Sequence, residues 1–169
     1  MLSLKLIVSL FTKLVYSIER VILMNIYLIC TGNTCRSPMA EAILRSKGIA
    51  NMSVRSAGIH AQDGWPISLN AKALIETADI PYTPVSRAVS SEDLQWADVV
   101  LTMTEAHKDA LLYSYSEAAD KVFTLKGFVG PDSTGDVQDP FGGDLETYRQ
   151  AFNELSEIIS VLEQKLTEE

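Results

Sequence analysis

Cysteine is almost missing from this chain: Cys30 and Cys35, five residues apart, are the only two. Two cysteines in one short stretch tie no distant segments together, which excludes the disulfide framework of a small secreted domain. Histidine is equally scarce at two, so a structural zinc site, which takes about four ligands, is excluded as well. Basic charge is in deficit, 14 Lys and Arg against 22 Asp and Glu for a net −8. Nucleic acid and anionic lipid both reward a basic surface, so neither is expected as a partner. There is no Walker phosphate loop, no dinucleotide fingerprint, no internal repeat and no low-complexity tract. A long clean apolar run is missing too. Residues 1–24 come nearest, but Lys5, Lys13, Glu19 and Arg20 interrupt them, where a membrane span wants ~20 uninterrupted apolar residues. No small-residue cleavage site follows them, as a secretory signal would need. Those four charges give the segment a net +2 and leave −10 for the remainder. The break predicts an N-terminal extension over 1–24 and one domain over 25–169, with translation starting at Met24. An amphipathic surface helix is the other reading of 1–24. The setting these features favour is a reducing cytoplasm without membrane contact.

What the chain does have is a dense stretch, CTGNTCRSP over 30–38, between the apolar run 26–29 and an amphipathic run from Met39. This reads as strand, phosphate-cradling loop, helix. A cysteine and an arginine separated by five residues can close a ring of inward-facing N–H groups, with the helix N-terminus adding partial positive charge. That field predicts Cys30 as a thiolate, since helix N-termini and guanidinium groups lower a cysteine pKa from about 8.5 to between ~3.5 and 7.5. Gly32 permits close approach to the anion, and Asn33 tolerates left-handed backbone. Arg36 can fork two phosphoryl oxygens. Ser37 is placed to donate to the sulfur, and Pro38 suits the first helical position. Cys30 alone would favour a buried structural cysteine ending a strand; Gly32, Arg36, Ser37 and Pro38 in place together favour a catalytic loop.

Helical spacing of Met39, Ile43 and Leu44, then Lys47 and Gly48, predicts a first helix with a left-handed C-terminal cap. A strand is expected over 54–59, a helix over 70–79, a capped turn at Ser90 or Ser91, a central buried strand over 97–103 and a fourth strand over 121–129. Thr104 is expected to cap a helix carrying His107 in its first turn. Trp65 reads either as pocket wall or core plug. Residues 130–143 form a long Gly, Asp and Pro loop, and Leu145, Tyr148, Phe152, Leu155, Ile159, Leu162 and Leu166 mark the core stripe of a last helix. The order predicts a single-domain α/β fold: a four-stranded parallel sheet, helices on both faces, the phosphate-binding loop after the first strand.

Thiolate attack on phosphorus leaves a leaving group to protonate and later a water to deprotonate, and one carboxyl group can do both. Asp132, Asp136, Asp139 and Asp144 are the candidates. Asp139 is favoured because Pro140 restricts its backbone, and Asp144 reads as a helix cap.

Cys30-x5-Arg36-Ser37-Pro38, the late Asp139-Pro140 and the βα-rich length between them resemble the low-molecular-weight protein tyrosine phosphatase family over 25 to about 166. The resemblance implies Cys30 as nucleophile, Arg36 as phosphate clamp and Asp139 as general acid. It implies a substrate site built from Thr31, Gly32, Asn33, Thr34, Cys35 and Arg36, supported by Ser37, Phe141 and His107, the last bracing the loop asparagine. It also implies no metal, no cofactor, phosphorylated proteins as substrates and a monomer. Thr34, the run 139–143 and the run 121–126 are similar to bacterial protein arginine phosphatases, which makes phosphoarginine the expected substrate and phosphotyrosine the alternative. Tyrosine-specific members usually carry an aliphatic residue at the position of Thr34 and aromatics near 62 and 142, where this chain has Gln62 and Gly142. Arsenate reductases of this fold resemble a scheme with further cysteines, and none follows Cys35. A non-enzymatic phosphate-binding module would not need Asp139. Cys35 either captures oxidised Cys30 in a reversible disulfide or packs under the loop.

Overall fold

A computed structural model of the protein describes residues 23–130 and 135–168. Four strands, β1 (Met24–Cys30), β2 (Met52–Gly58), β3 (Val99–Thr102) and β4 (Val122–Thr124), form one parallel sheet in the order β2-β1-β3-β4. Residues 1–22, and with them most of the expected extension, lie outside the described residues, as does Asp132. Among the described residues no helix is long and apolar enough to cross a membrane.

The alternation of side chains along β1 divides the core in two. Ile26 and Leu28 face helix α1 (Arg36–Ser46), helix α2 (Leu69–Thr77) and the last helix, α6 (Leu145–Thr167). Tyr27 and Ile29 face helix α3 (Ser91–Trp96) and helix α4 (Glu105–Ser114). Helices thus cover both faces, and the apolar runs of β1 and β3 are continuous because neither face meets water. Leu155, Ile159 and Leu162 are fully buried, each contributing about 1.5–3 kcal/mol on burial, and this stripe fastens α6 to α1. Leu145, expected in the stripe, is 40% exposed.

Caps fall where short polar side chains precede helices. Ser90, Thr104 and Asp144 accept from the N–H groups of Asp93, His107 and Thr147, satisfying donors that would otherwise be orphaned. Gly48, with φ 61°, follows α1 in the left-handed position expected of it. Two expectations are corrected. The fourth strand stops at Thr124, whose hydroxyl accepts from the Gly127 N–H and starts a short helix, α5 (Leu125–Val129). Leu125 and Val129, buried at i and i+4, decide for helix there. Pro38 is the third residue of α1, not the first; its missing N–H still costs nothing, because no first-turn N–H has an intrahelical partner.

From β1 the chain moves outward to β2, then returns to lay β3 on the other side of β1. The reversal opens a crevice at the carboxyl ends of β1 and β3, where sheets of this kind hold their ligands.

Candidate active site

Residues 31–35 leave the end of β1 and turn directly into α1. Asn33 takes φ 52°, the left-handed conformation that asparagine tolerates. Gly58, paired with Cys30 in the sheet register, lies so close beneath the loop that an added Cβ would stand 2.5 Å from the Thr31 carbonyl and 2.7 Å from the Asn33 nitrogen. Sequence reasoning passed over Gly58, although a glycine inside a strand is itself a mark of close backbone approach.

Cys30 is buried, its sulfur 2.9 Å from the Ser37 hydroxyl and 3.3 Å from the Asn33 N–H that donates to it. Burial is the largest influence on the thiol and pushes its pKa up; Ser37, the Ser37 and Asn33 backbone amides and Arg36 pull it down. The expected lowering of the Cys30 pKa by helix and guanidinium is corrected, because burial outweighs it; the Ser37 hydroxyl, expected as a donor to the sulfur, is the largest influence opposing burial. Reactivity of Cys30 depends on donors strong enough to offset burial, with the helix N-terminus helping them.

Arg36 enters the pocket from the first residue of α1. One of its nitrogens donates to the Val137 carbonyl at 3.2 Å and the other to Asp139 Oδ2 at 3.0 Å. Val137 is in turn fixed to the end of β3 by its N–H, which donates to the Met103 carbonyl at 2.9 Å. Asp139 Oδ1 accepts the Phe141 N–H at 3.1 Å, so both carboxyl oxygens are aimed. Two other candidate acids among the described residues are used otherwise: Asp136 accepts from the Glu105 N–H at the start of α4, and Asp144 caps α6.

Cys30, Thr31, Gly32, Thr34, Cys35, Arg36, Asp139 and Phe141 line one pocket of about 190 Å³. A groove of about 590 Å³ adjoins it past Thr34 and Phe141, walled by Trp65, Gln62, Gly142 and Tyr148. Trp65 is thus a wall, 61% exposed, and not a core plug. Gln62 and Gly142 border the groove, not the pocket, and the aromatic at the rim is Phe141, 79% exposed. Cys35 packs under the loop with its sulfur 3.1 Å from the Tyr148 hydroxyl, and both cysteines are free.

His107 does not brace the asparagine. Its Nε2 lies 2.8 Å from the Thr31 hydroxyl, while Asn33 is held by Ser37, Ser56 and the Arg87 N–H. Its Nδ1 is buried with no partner among the described residues. Burial first, and then the charge of Arg36, push the His107 pKa down from 6.5 to about 4. The unfolded chain takes up this proton as pH falls through about 6.5, and the folded chain only near 4. Stability from this group is therefore full above about 6.5 and lost toward 4. Melting temperatures measured at pH 7.5, 6 and 5 are expected to fall less steeply in His107→Gln than in the parent. Equal slopes would remove His107 as the cause.

The model of the family described as "Low molecular weight phosphotyrosine protein phosphatase" matches residues 25–169. The chain belongs to this family. It is 44% identical over 145 residues to the protein-arginine-phosphatase of Geobacillus stearothermophilus, covering 86% of this chain and 97% of that one. It is 38% identical over 142 residues to the low molecular weight protein-tyrosine-phosphatase PtpB of Staphylococcus epidermidis, covering 84% and 99%. Among solved structures, a cysteine-to-serine mutant of the YwlE arginine phosphatase with a phosphorylated active-site serine superposes with a TM-score of 0.80 at 41% identity, covering 85% of this chain and 95% of that one. The family match starts at Asn25, within β1, and so takes in the loop, Arg36 and Asp139 together.

Proposed function

We propose that this protein is a cysteine-dependent protein phosphatase that removes phosphate from phosphoarginine side chains through a cysteinyl-phosphate intermediate. The observation that carries the chemistry is the single pocket holding Cys30, Arg36 and Asp139. Cys30 attacks phosphorus in line; the P–N bond breaks as the P–S bond forms, and Asp139 gives its proton to the departing nitrogen. Asp139 then takes a proton from water, which attacks the phosphocysteine and releases phosphate and the thiolate. Loop N–H groups and Arg36 stabilise the charge on the three equatorial oxygens. An acidic surface and two free cysteines suit a monomer acting on phosphorylated proteins in the cytoplasm.

Thr34 supports the choice of phosphoarginine. It stands where the pocket meets the groove, and its hydroxyl offers a hydrogen-bond partner to a flat polar guanidinium, where an aliphatic side chain would pack on a phenol ring. The likeness to arginine phosphatases at 44% identity points the same way. Phe141, exposed at the rim, favours phosphotyrosine as the second reading. Thr34→Ile separates the two. Losing a hydrogen-bond partner in a desolvated site costs about 1–3 kcal/mol, roughly tenfold to a hundredfold in relative rate, so the ratio of kcat/KM for phosphoarginine over phosphotyrosine peptides is expected to fall by that factor. An unchanged ratio would remove Thr34 as the determinant, and a parent preference for phosphotyrosine would promote the second reading.

A further inference from the structure

The groove beside the catalytic pocket has a volume of about 590 Å³, and no Lys, Arg, Asp or Glu lines it, in a chain of which 21% is charged. Its volume lies within the ~300–1,000 Å³ of ligand-binding clefts. Two aromatic side chains, Trp65 and Phe141, stand exposed along it. Tryptophan is mostly buried in folded proteins, and a tryptophan left open on the wall of a cleft marks a contact surface.

Trp65 is exposed on a backbone that is pinned on both sides. Pro66 and Val85 form an antiparallel bridge. The Gly64 N–H donates to the Ser86 carbonyl at 2.9 Å, the Ser86 N–H to the Trp65 carbonyl at 2.7 Å, and the Ile67 N–H to the Pro84 carbonyl at 3.1 Å. Ile67 is buried, so the core position of this segment is taken by a residue other than Trp65. The Ser68 N–H then donates to the Thr34 carbonyl at 2.9 Å, which ties the Trp65 wall to the phosphate-binding loop itself. On the other side the Phe141 N–H is held by Asp139, and Asn70 Nδ2 donates to the Gly143 carbonyl at 3.4 Å. Both walls are thus set relative to the pocket and to each other. At Gly142 an added Cβ would meet nothing within 4 Å, so the space between the walls is open.

What the groove takes follows from what the pocket takes. Gly32, Thr34, Cys35 and Phe141 line both. A phosphorylated side chain reaching Cys30 therefore leaves its own polypeptide at the mouth of the groove. Arg36 and Asp139 line the pocket only. A charged side chain entering the groove would lose water and gain no counter-charge, whereas an apolar one gains by leaving water. We propose that the groove seats an apolar side chain of the substrate polypeptide next to the phosphorylated residue, with Trp65 as the residue that selects it. The proposal rests on the pocket being the site of phosphate transfer, and it holds for phosphoarginine and phosphotyrosine alike. Walls fixed in advance keep the ordering cost of binding low. A contact made equally before and in the transition state acts on KM and not on kcat.

The test uses two peptide series, one built on phosphoarginine and one on phosphotyrosine. Each carries Ala, Leu, Phe, Glu or Lys at the residue before or after the phosphorylated one, and kcat/KM is measured in the parent, Trp65→Ala and Trp65→Glu. In the parent, Leu or Phe on one side is expected to exceed Ala by about tenfold, mainly through KM, the scale on which one apolar side chain leaves water. Glu and Lys should fall below Ala. Trp65→Ala should bring the ratio of Leu to Ala near one, and Trp65→Glu should place Lys above Leu, a reversal that a loosened loop would not produce. Since Trp65 packs no core, both variants are expected to fold, and either one decides. A parent ratio near one, a parent preference for Glu or Lys, or a Trp65→Ala variant that slows every peptide alike and keeps the ratio would overturn the proposal. So would self-association of the parent in sedimentation that Trp65→Ala abolishes, which would give the groove to a second copy of the chain. Hydrolysis of the phosphotyrosine series alone would overturn the phosphoarginine reading, with the ratios in that series still deciding the groove. No hydrolysis in either series would overturn the phosphatase reading and this proposal with it.

Discussion

Cys30→Ser is expected to stay folded and to lose turnover of phosphorylated substrates by on the order of 10⁴-fold or more, the scale on which removing a covalent nucleophile acts. Folding survives because a hydroxyl replaces the thiol without a change of shape, and the Ser37 hydroxyl and Asn33 N–H that face the sulfur remain able to face an oxygen. Turnover does not survive. A serine hydroxyl is hardly ionised at neutral pH, the influences that bring a thiol within reach of ionisation are too small for an alcohol, and an alkoxide is a poor group to expel from the phosphoenzyme. Binding of phosphate should persist, since the loop amides and Arg36 are untouched. Steady-state rates on phosphoarginine and phosphotyrosine peptides, with a phosphate titration followed by thermal shift, check both halves. Rates within tenfold of the parent in a preparation free of other phosphatases would exclude Cys30 as the nucleophile.

The parts of the site that the sequence made legible are those whose chemistry is concentrated in a few adjacent residues. Cys30, Asn33, Arg36 and Ser37 are informative at their spacing because they sit together in one short stretch between β1 and α1, whereas the partners that hold the loop, Gly58, Ser56 and Arg87, come from elsewhere in the chain. Asp139 was legible through Pro140, and the structure adds Val137, whose N–H and C=O tie the acid's loop to β3 and to Arg36. Long-range partners were not legible. Glu41 looks like an ordinary polar residue of α1, and only the packing of β2 and the loop carrying Thr83 against that helix reveals its burial. His107 was expected beside Asn33, yet it meets Thr31, because the chain around Arg87 fills the place next to the asparagine. The fourth strand failed for a related reason. The residues following Thr124 are apolar enough for a strand, and the hydroxyl cap at Thr124 ends the ladder first.

Asp139→Asn should lower kcat/KM for phosphoarginine peptides by about 10²–10⁴-fold, the range of positioned general acids, and the loss should shrink as the leaving group improves. An arginine side chain departs as a strong base, with a conjugate acid pKa above 12, and needs its proton in the transition state. A tyrosine, with pKa about 10, needs it less, and p-nitrophenol less again. The loss should therefore run phosphoarginine, then phosphotyrosine, then p-nitrophenyl phosphate. Asp139 is placed for this task with its carboxyl on the pocket wall, one oxygen on Arg36 at 3.0 Å and about half of its side chain open to an incoming ligand. Asparagine keeps the shape and can still accept the Phe141 N–H, so a general collapse of the loop would not account for an order that follows leaving-group basicity. Asp136→Asn is the control. Its carboxylate accepts the Glu105 N–H at 2.9 Å, and its loss should loosen the start of α4 while leaving the order of rates as in the parent. Equal losses on all three substrates would show that Asp139 acts through Arg36 and not as the acid, and a graded loss in Asp136→Asn would transfer the role to that residue.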